Sequence, residues 1–313
     1  MSTDMSRVLG LLVGFVADRV IPDPASYHPV AGFGRLAASL ERLGYAPTRQ
    51  RGVAYTATLV GGAAVAGLLL ERRRPVLGTA LATWAVLGGA SLEREALAVS
   101  ELLASGDLPG ARQRLTHLVG RDTTSLDEGE VARAVVESVA ENTSDAVVSP
   151  LVVGALFGVP GLLAYRATNT LDAMVGHRSS RYLEFGWASA RLDDLLNLPG
   201  ARVTAVLAAL LGPSPRSALA TWARDASAHP SPNAGPVEAS FAGALGIRLG
   251  GQNTYGDRTE HRAVLGSGRA AEPRDIQRSV ELARRVDVGA ALVAVLVAVL
   301  VAGSRARSSR STT

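Results

Sequence analysis

The chain has no cysteine, and its 32 basic residues are all arginine because it also has no lysine. Without cysteine there are no disulfides, no thiolate metal sites and no thioester intermediates. Without lysine there is no lysine Schiff base and no Walker-type phosphate-binding loop. Any acyl transfer by this chain must therefore proceed without a cysteine or lysine nucleophile.

Aromatic residues are also scarce, at 4% of the chain, and the arginines are scattered among 28 acidic residues. A nucleic-acid surface normally combines clustered basic side chains with aromatic ones, so we expect no nucleic-acid partner. The arginines at 72–74 and in the tail 304–313 instead favour a cytoplasmic location for these segments, as the positive-inside rule describes.

Long apolar runs are abundant. The segments 53–70, 75–92 and 146–165 contain no acidic or basic side chain, and each is close to the ~20 residues that a helix needs to cross a bilayer. The pattern predicts an all-α, polytopic membrane protein with four to six hydrophobic helices in a single domain, residues 1–313, embedded in lipid. The predicted hydrophobic segments are 8–21, 53–70, 75–92, 146–165, 201–212 and 288–303.

The first segment ends in Asp18 and Arg19, where a signal peptide would have small residues. We therefore interpret it as a retained first helix, with Gly10 and Gly14 spaced for close helix packing. A short interfacial helix is the alternative. If all six segments cross the membrane, the polar residues at 166–200 lie on the opposite side from the other polar clusters. Either 146–165 is then re-entrant or 201–212 does not cross.

A first polar cluster, AENTSDAVVSPL at 140–151, abuts an apolar run. A helix beginning near Asp127 would place Glu137, Glu141 and Asp145 on one face, where like charges are destabilising unless something compensates them. A divalent cation, arginine side chains or a cationic substrate would compensate, whereas helix capping explains only Ser144 or Asp145. We predict that Glu141 and Asp145 are catalytic and that Asn142 and Ser144 bind substrate or nucleotide.

A second cluster occupies residues 165–202. Asn169 and Asp172 share a helical face beside Arg166, and Arg191 precedes a pair of aspartates. Hard oxygen ligands near arginines suit Mg²⁺ bound to phosphate oxygens. We predict metal ligands at Asp172, Asp193 and Asp194, and binding residues at Arg166, Asn169 and Arg191. The alternative is a surface helix with solvated charges.

The third cluster, at 225–256, and the fourth, at 18–35, are loops stiffened by proline. Two prolines flank Ser231, so the neighbouring polar side chains would be presented rigidly, and a histidine in such a loop suits acid–base or phosphate contact. We predict that His229 is catalytic. The predicted binding residues are Ser231, Asn233, Glu238 and Tyr255 in the third cluster, and Asp23, His28 and Arg35 in the fourth.

Five stretches occur in this order: DPASYHPVAGFGR, ENTSDAVVSPL, YRATNTLDAMVG, SARLDDLLNLPGAR and HPSPNAGPVEASFAGALGIRLGG. They resemble the signatures of the CobD/CbiB family of cobalamin-biosynthesis membrane enzymes, the adenosylcobinamide-phosphate synthases. The resemblance covers essentially the whole chain. It implies an ATP-dependent ligase that joins adenosylcobyric acid, a corrinoid, to (R)-1-amino-2-propanol phosphate, or to its unphosphorylated or ethanolamine counterpart.

Direct activation of the carboxylate, most simply as an acyl phosphate from ATP with Mg²⁺, fits the lack of cysteine and lysine. The amine also needs a base, for which Asp145, Glu141 and His229 are candidates. We expect a multi-pass protein of the cell membrane, with its polar clusters gathered into one site that faces the cytoplasm. Association with other late cobalamin-pathway membrane enzymes and a homo-oligomer are further partner hypotheses.

A membrane transporter or sensor related to the same family, without catalysis, is the competing function. Intramembrane polar residues often mark ion or substrate pathways. Here the charges crowd the ends of apolar runs and the loops between them, rather than the middle of the helices. This distribution favours a site at the membrane surface, and hence the ligase.

Overall fold

The computed structural model describes the backbone of residues 3–21, 28–255 and 258–310, and the side chains of 5–21, 28–251 and 262–304. The helices in these ranges are α1 (Thr3–Val20), α2 (Pro29–Gly44), α3 (Arg49–Arg73), α4 (Pro75–Val86), α5 (Gly89–Ala104), α6 (Leu108–Leu115), α7 (Glu128–Thr143), α8 (Ser149–Val175), α9 (Trp187–Leu211), α10 (Pro215–Asp225), α11 (Ala234–Leu245) and α12 (Arg274–Arg310). The strands are β1 (Ile247–Tyr255), β2 (Arg258–Leu265) and β3 (Arg269–Ala270). A π-helical turn, Ser144–Val148, joins α7 to α8.

Five helical stretches in the described part of the chain are long and apolar enough to cross a membrane. They are Arg49–Arg73, Pro75–Ala104, Glu128–Val175, Trp187–Leu211 and Arg274–Ser304. These stretches contain five of the six predicted hydrophobic segments and confirm an all-α, polytopic membrane protein. The sixth segment, 8–21, lies in α1, which carries Arg7, Asp18 and Arg19 and is not among the five.

Backbone contacts divide the chain into two compact units, each built from separate stretches of sequence. The first unit comprises Met1–Gly88, Ser149–Asn197 and Ala291–Thr313. The second comprises Gly89–Val148 and Leu198–Ala290. The single domain over 1–313 stays a prediction.

In the first unit, α1 packs against α4 through small residues. A methyl group added at Gly10 or Gly14 would overlap the side chain of Thr79 or Thr83, so the predicted close packing at these glycines is confirmed. This unit also contains an apolar core of buried side chains. It is formed by Ala37, Tyr55, Leu59, Leu171, Val175 and Phe185.

The apolar helix α8 is broken at Gly158, whose φ of 69° and ψ of −154° are not helical. A buried ion pair binds both broken ends. Arg7 donates to the carbonyl oxygens of Ala155 and Leu156 at 3.5 and 3.4 Å. Glu71, whose Oε1 lies 3.5 Å from Arg7 Nη2, accepts the N–H of Val159 at 3.3 Å. The predicted segment 146–165 is therefore two helical pieces rather than one uninterrupted helix.

The second unit contains a three-stranded sheet in the order β2-β1-β3, with β1 antiparallel to β2 and parallel to β3. An all-α chain was expected to have no sheet, and this part of the expectation is wrong. Two adjacent glycines, Gly250 and Gly251, lie at a bulge in β1, where the register shifts between Leu249 and Gly251. The bulge and the glycines hide the alternating pattern by which a strand is normally recognised.

Candidate functional site

Helix α7 begins where the sequence predicted, at Asp127. The Asp127 side chain accepts the N–H of Glu130, and the Glu130 side chain accepts the N–H of Asp127, which is a capping box. Glu137 and Glu141 keep the predicted α-helical spacing. Asp145 lies in the π-helical turn, so the regular spacing assumed for it ends at Thr143.

Glu137 is compensated by two arginines and one backbone group. Its Oε2 lies 3.0 Å from Arg121 Nη2, and its Oε1 lies 3.3 Å from Arg133 Nη1. Oε1 also accepts the N–H of Gly250 in β1 at 2.9 Å. Arg133 in turn donates to the carbonyl oxygen of Gly250. A divalent cation, arginine side chains or a cationic substrate could have compensated the acidic face. At Glu137 the compensation comes from arginine side chains.

Beside Glu137 lies a small polar cavity of about 130 Å³ in the second unit, which we call the carboxylate pocket. Its acidic and basic lining residues are Arg121, Glu137, Glu141, Glu238 and Arg262. Three carboxyl groups and two guanidinium groups thus surround a space for a few small-molecule atoms. Such a lining suits a ligand that carries both an ammonium group and an anionic group.

Glu238, on α11, is the most deeply buried carboxyl group of the pocket, with 1% of its surface exposed. Burial raises its pKa well above the ordinary value, and the negative charges of Glu137 and Glu141 raise the pKa further. Arg262 and Arg121 oppose this shift. A carboxyl group with a raised pKa is a stronger base once it is ionised, and such groups are typical of active sites.

His229 faces Glu238 from the proline-rich loop. Its Nδ1 accepts the N–H of Ser231 at 3.0 Å, so the neutral ring carries its proton on Nε2. This Nε2 lies 3.7 Å from Glu238 Oε1. Burial, and then the charge of Arg262, lower the pKa of His229. The neutral ring therefore has its Nε2–H close to Glu238, but beyond hydrogen-bond distance.

Hydrogen bonds at Ser231 and Asn233 hold the loop, whose rigidity stays a prediction. Ser231 Oγ accepts the N–H groups of Asn233 and Ala234 at 3.3 and 3.1 Å, which fixes the start of α11. Asn233 is buried and accepts a hydrogen bond from Arg202 Nη1 at 3.0 Å. Ser231 and Asn233 therefore hold the loop that presents His229.

The second predicted cluster lies in the first unit, on α8 and α9 rather than in a loop. Asn169 Nδ2 donates to Asp193 Oδ1 at 3.4 Å, and Asn197 Nδ2 donates to Asp193 Oδ2 at 2.9 Å. Arg166 Nη1 donates to Asn169 at 3.4 Å, and Arg191 lies 3.5 Å from Asp194. The structure thus brings together Arg166, Asn169 and Asp193, as expected for one cluster.

The predicted metal ligands do not form a preorganised ion site. No group of three or more histidine, aspartate or glutamate side chains in the described residues is arranged to hold a metal. Both carboxylate oxygens of Asp193 accept amide hydrogen bonds, and Asp194 is paired with Arg191. Mg²⁺ carried by a nucleotide needs only one or two carboxylates, so Asp172, Asp193 and Asp194 stay predictions for that kind of ion.

The other predicted residues are more scattered. His28 Nδ1 caps α2 by accepting the N–H of Val30 at 3.3 Å, and Arg35 is exposed on α2. Asn142 donates to the carbonyl oxygen of Ser138 at 2.9 Å, and Ser144 is buried in the π-helical turn. The predictions at Asp23 and at the side chain of Tyr255 lie outside the described residues.

Sequence reasoning missed two lining residues of the pocket, Arg121 and Arg262, and also Arg133, which pairs with Glu137. It placed Glu137 on the acidic face but gave it no role. Only the Arg133–Glu137 pair had a local signal, because residues four apart on a helix face each other. The others come from distant parts of the chain, and no spacing in the sequence connects them.

The chain belongs to the CobD/Cbib protein family, whose sequence pattern matches residues 11–283. It is 50% identical over 303 residues to a Mycobacterium tuberculosis (strain CDC 1551 / Oshkosh) protein named Cobalamin biosynthesis protein CobD, covering 94% of this chain and 97% of that protein. Proteins of the same name from Rhodobacter capsulatus and Chromobacterium violaceum are 46% and 41% identical. These matches cover 87% and 90% of this chain, and 90% and 93% of the two relatives. No solved structure matches the chain.

Proposed function

We propose that this protein is an enzyme of cobalamin biosynthesis that forms an amide between the propionate carboxylate of adenosylcobyric acid and a small amino-alcohol phosphate. Membership of the CobD/Cbib family and the names of its relatives support the pathway. The observation that carries the chemistry is the carboxylate pocket, where buried Glu238 has a raised pKa beside two arginines. Its mixture of charges matches an amine that also bears a phosphate.

The proposed reaction has two steps. A carboxylate oxygen of the corrinoid attacks the γ-phosphorus of ATP, which forms an acyl phosphate and releases ADP. The ammonium group of the second substrate loses one proton to the solvent. The neutral amine nitrogen then attacks the acyl carbon, inorganic phosphate leaves and the nitrogen loses a second proton. Neither step needs a protein nucleophile, in agreement with a chain that has no cysteine and no lysine.

The pocket residues take distinct roles in the second step. Glu141, exposed at the pocket, attracts the ammonium group of the substrate, and Arg121 and Arg262 attract its phosphate. Glu238, present as the carboxylate before this step, accepts the proton that the nitrogen loses and becomes a neutral carboxylic acid. His229, whose Nε2 lies 3.7 Å from Glu238 Oε1, is a positioning residue beside that carboxylate before the transfer. Under the same proposal the pocket faces the cytoplasm at the cell membrane, and Asp145 in the π-helical turn belongs to the same site.

The proposed function is tested by product formation. Purified protein should make the amide from adenosylcobyric acid, ATP and amino-alcohol phosphate, with about one ATP hydrolysed for each amide, because each acyl phosphate consumes one nucleotide. EDTA should stop the reaction. Mass spectrometry of the corrinoid and an ADP assay measure both quantities. Full-rate product without nucleotide and with EDTA would contradict an acyl phosphate route.

A pH dependence follows from the assignment of Glu238 as the base. The residue must be ionised to accept a proton, and its pKa is raised, so kcat/KM should fall as the pH falls, with a midpoint above the ordinary carboxyl value of ~4.3. Removing the charge of Glu141 should lower the pKa of Glu238. The residual activity of Glu141→Gln should therefore have its midpoint at a lower pH. A midpoint that does not move would assign the titration to another group, such as the substrate amine.

A further inference from the structure

A larger cavity of about 360 Å³ lies in the second unit, between the first turns of α7 and the strand β1. We call it the glycine cavity, after Gly250 and Gly251 in its wall. It shares a boundary with the carboxylate pocket, because Arg133 lines the glycine cavity while its ion-pair partner Glu137 lines the carboxylate pocket. A ligand in one cavity would therefore lie close to a ligand in the other.

The glycine backbone leaves one wall of this cavity bare. Gly250 and Gly251 have positive φ angles of 80° and 93°, which side-chain-bearing residues rarely adopt. A Cβ atom at Gly251 would have only Arg133 Nη1 near it, at 3.9 Å, so it would project into open space. A ligand can thus approach the main chain at Gly251 more closely than at any residue with a side chain.

Two guanidinium groups face the same space. Arg133 is held by Glu137 and by the carbonyl oxygen of Gly250, so its position is fixed before a ligand arrives. Arg248 is exposed, and its side chain makes no hydrogen bond or ion pair with the described residues. The acidic side chains in the wall, Asp127 and Glu130, are engaged in the capping box at the start of α7. The two guanidinium groups suit a ligand with several anionic oxygens, and a divalent cation bound to that ligand would offset the two carboxylates.

We propose that the glycine cavity binds the phosphate chain of a nucleoside triphosphate, with Arg133 and Arg248 as its cationic contacts. The inference rests on the proposed function, which requires ATP but does not locate it. The volume lies within the ~300–1,000 Å³ of small-molecule sites. The shared boundary at Arg133 and Glu137 would bring the phosphate chain next to the pocket assigned to the amine, where the acyl phosphate must react.

The test is nucleotide binding by the full chain in phosphatidylcholine nanodiscs, where no acidic lipid headgroup competes. A fluorescent ATP analogue with Mg²⁺ reports the Kd. Arg248→Gln should weaken binding by about tenfold or more, because it removes a charged hydrogen-bond donor. The matched control is Arg216→Gln, an exposed arginine on α10 outside both cavities, which should bind like the wild type. Tripolyphosphate should displace the analogue and adenosine should not.

The outcomes separate this inference from the proposed function. Wild-type affinity in Arg248→Gln, with amide still formed by the wild type, overturns the glycine cavity as the phosphate site and leaves the ligase proposal standing. Loss of nucleotide binding in Arg248→Gln, when the wild-type protein binds nucleotide but forms no amide, supports the cavity and overturns the ligase proposal. Displacement by adenosine but not by tripolyphosphate would also overturn the phosphate assignment.

Discussion

Replacing Glu238 with glutamine should reduce the rate of amide formation by about 100-fold or more, since positioned general bases contribute ~10²–10⁴-fold. Glutamine has nearly the same shape but cannot accept the proton released by the amine. The buried neutral side chain should not unfold the protein, because the raised pKa of Glu238 already favours its uncharged form. Single-turnover assays that start from an enzyme-bound, activated corrinoid would measure the affected step directly.

The matched control for this substitution is Glu101→Gln, an exposed carboxylate on α5 outside the pocket, which should keep wild-type activity. His229→Gln should have a smaller effect than Glu238→Gln, because His229 acts on the substrate only through Glu238. The pH profile of kcat/KM for His229→Gln should be shifted, whereas the rate of the chemical step at high pH should equal that of the wild type. Near-normal turnover by a folded Glu238→Gln protein would exclude Glu238 as the base.

The sequence anticipated the helices better than the site. Uninterrupted apolar runs locate membrane-compatible helices because burial in lipid demands both length and the absence of charge. The start of α7, next to its N-cap Asp127, could also be predicted from the sequence, because capping is a local interaction. The sheet was not predicted because glycines and a bulge interrupt β1. The alternation of apolar and polar residues in this strand is therefore too short to recognise.

The candidate site was predictable only in part, since its chemistry depends on long-range contacts. Glu141, His229 and Glu238 stood out as polar residues beside apolar segments, and the structure places Glu141 and Glu238 in one pocket. The contact between Glu137 and Gly250 joins residues 113 positions apart, and nothing in either local sequence indicates it. The raised pKa of Glu238 also arises only after folding, because burial is its main cause.

The break in α8 is a similar case. Pro160 signals an irregular helix, but its partners lie far away: Arg7 and Glu71 are 64 residues apart in the sequence. The structure shows why buried Arg7 and partly buried Glu71 lie there. Arg7 binds the free carbonyl oxygens that end the first piece of the helix, and Glu71 binds the free N–H at the start of the second. In a hydrocarbon environment such groups must find partners within the protein.

Arg7→Met should destabilise the protein by about 3–5 kcal/mol, the usual result of removing one partner from a buried ion pair. The substitution leaves the Glu71 carboxylate without its ion-pair partner. It also removes the hydrogen-bond donor to the carbonyl oxygens of Ala155 and Leu156. Glu71→Gln alone should be milder, because the amide oxygen still accepts the N–H of Val159. Thermal unfolding followed by circular dichroism in detergent would measure these differences.

The double variant Arg7→Met/Glu71→Gln decides whether the pair acts as a unit. Since it contains no unpaired charge, it should be more stable than Arg7→Met alone, with a coupling energy of about 1–3 kcal/mol in the mutant cycle. Gly158→Ala provides an independent check, because a methyl group there would overlap Glu71 and would also require a positive φ. Additive effects of the two charge substitutions would mean that Arg7 and Glu71 bind the ends of the broken helix independently, and that their mutual attraction contributes nothing to holding the break.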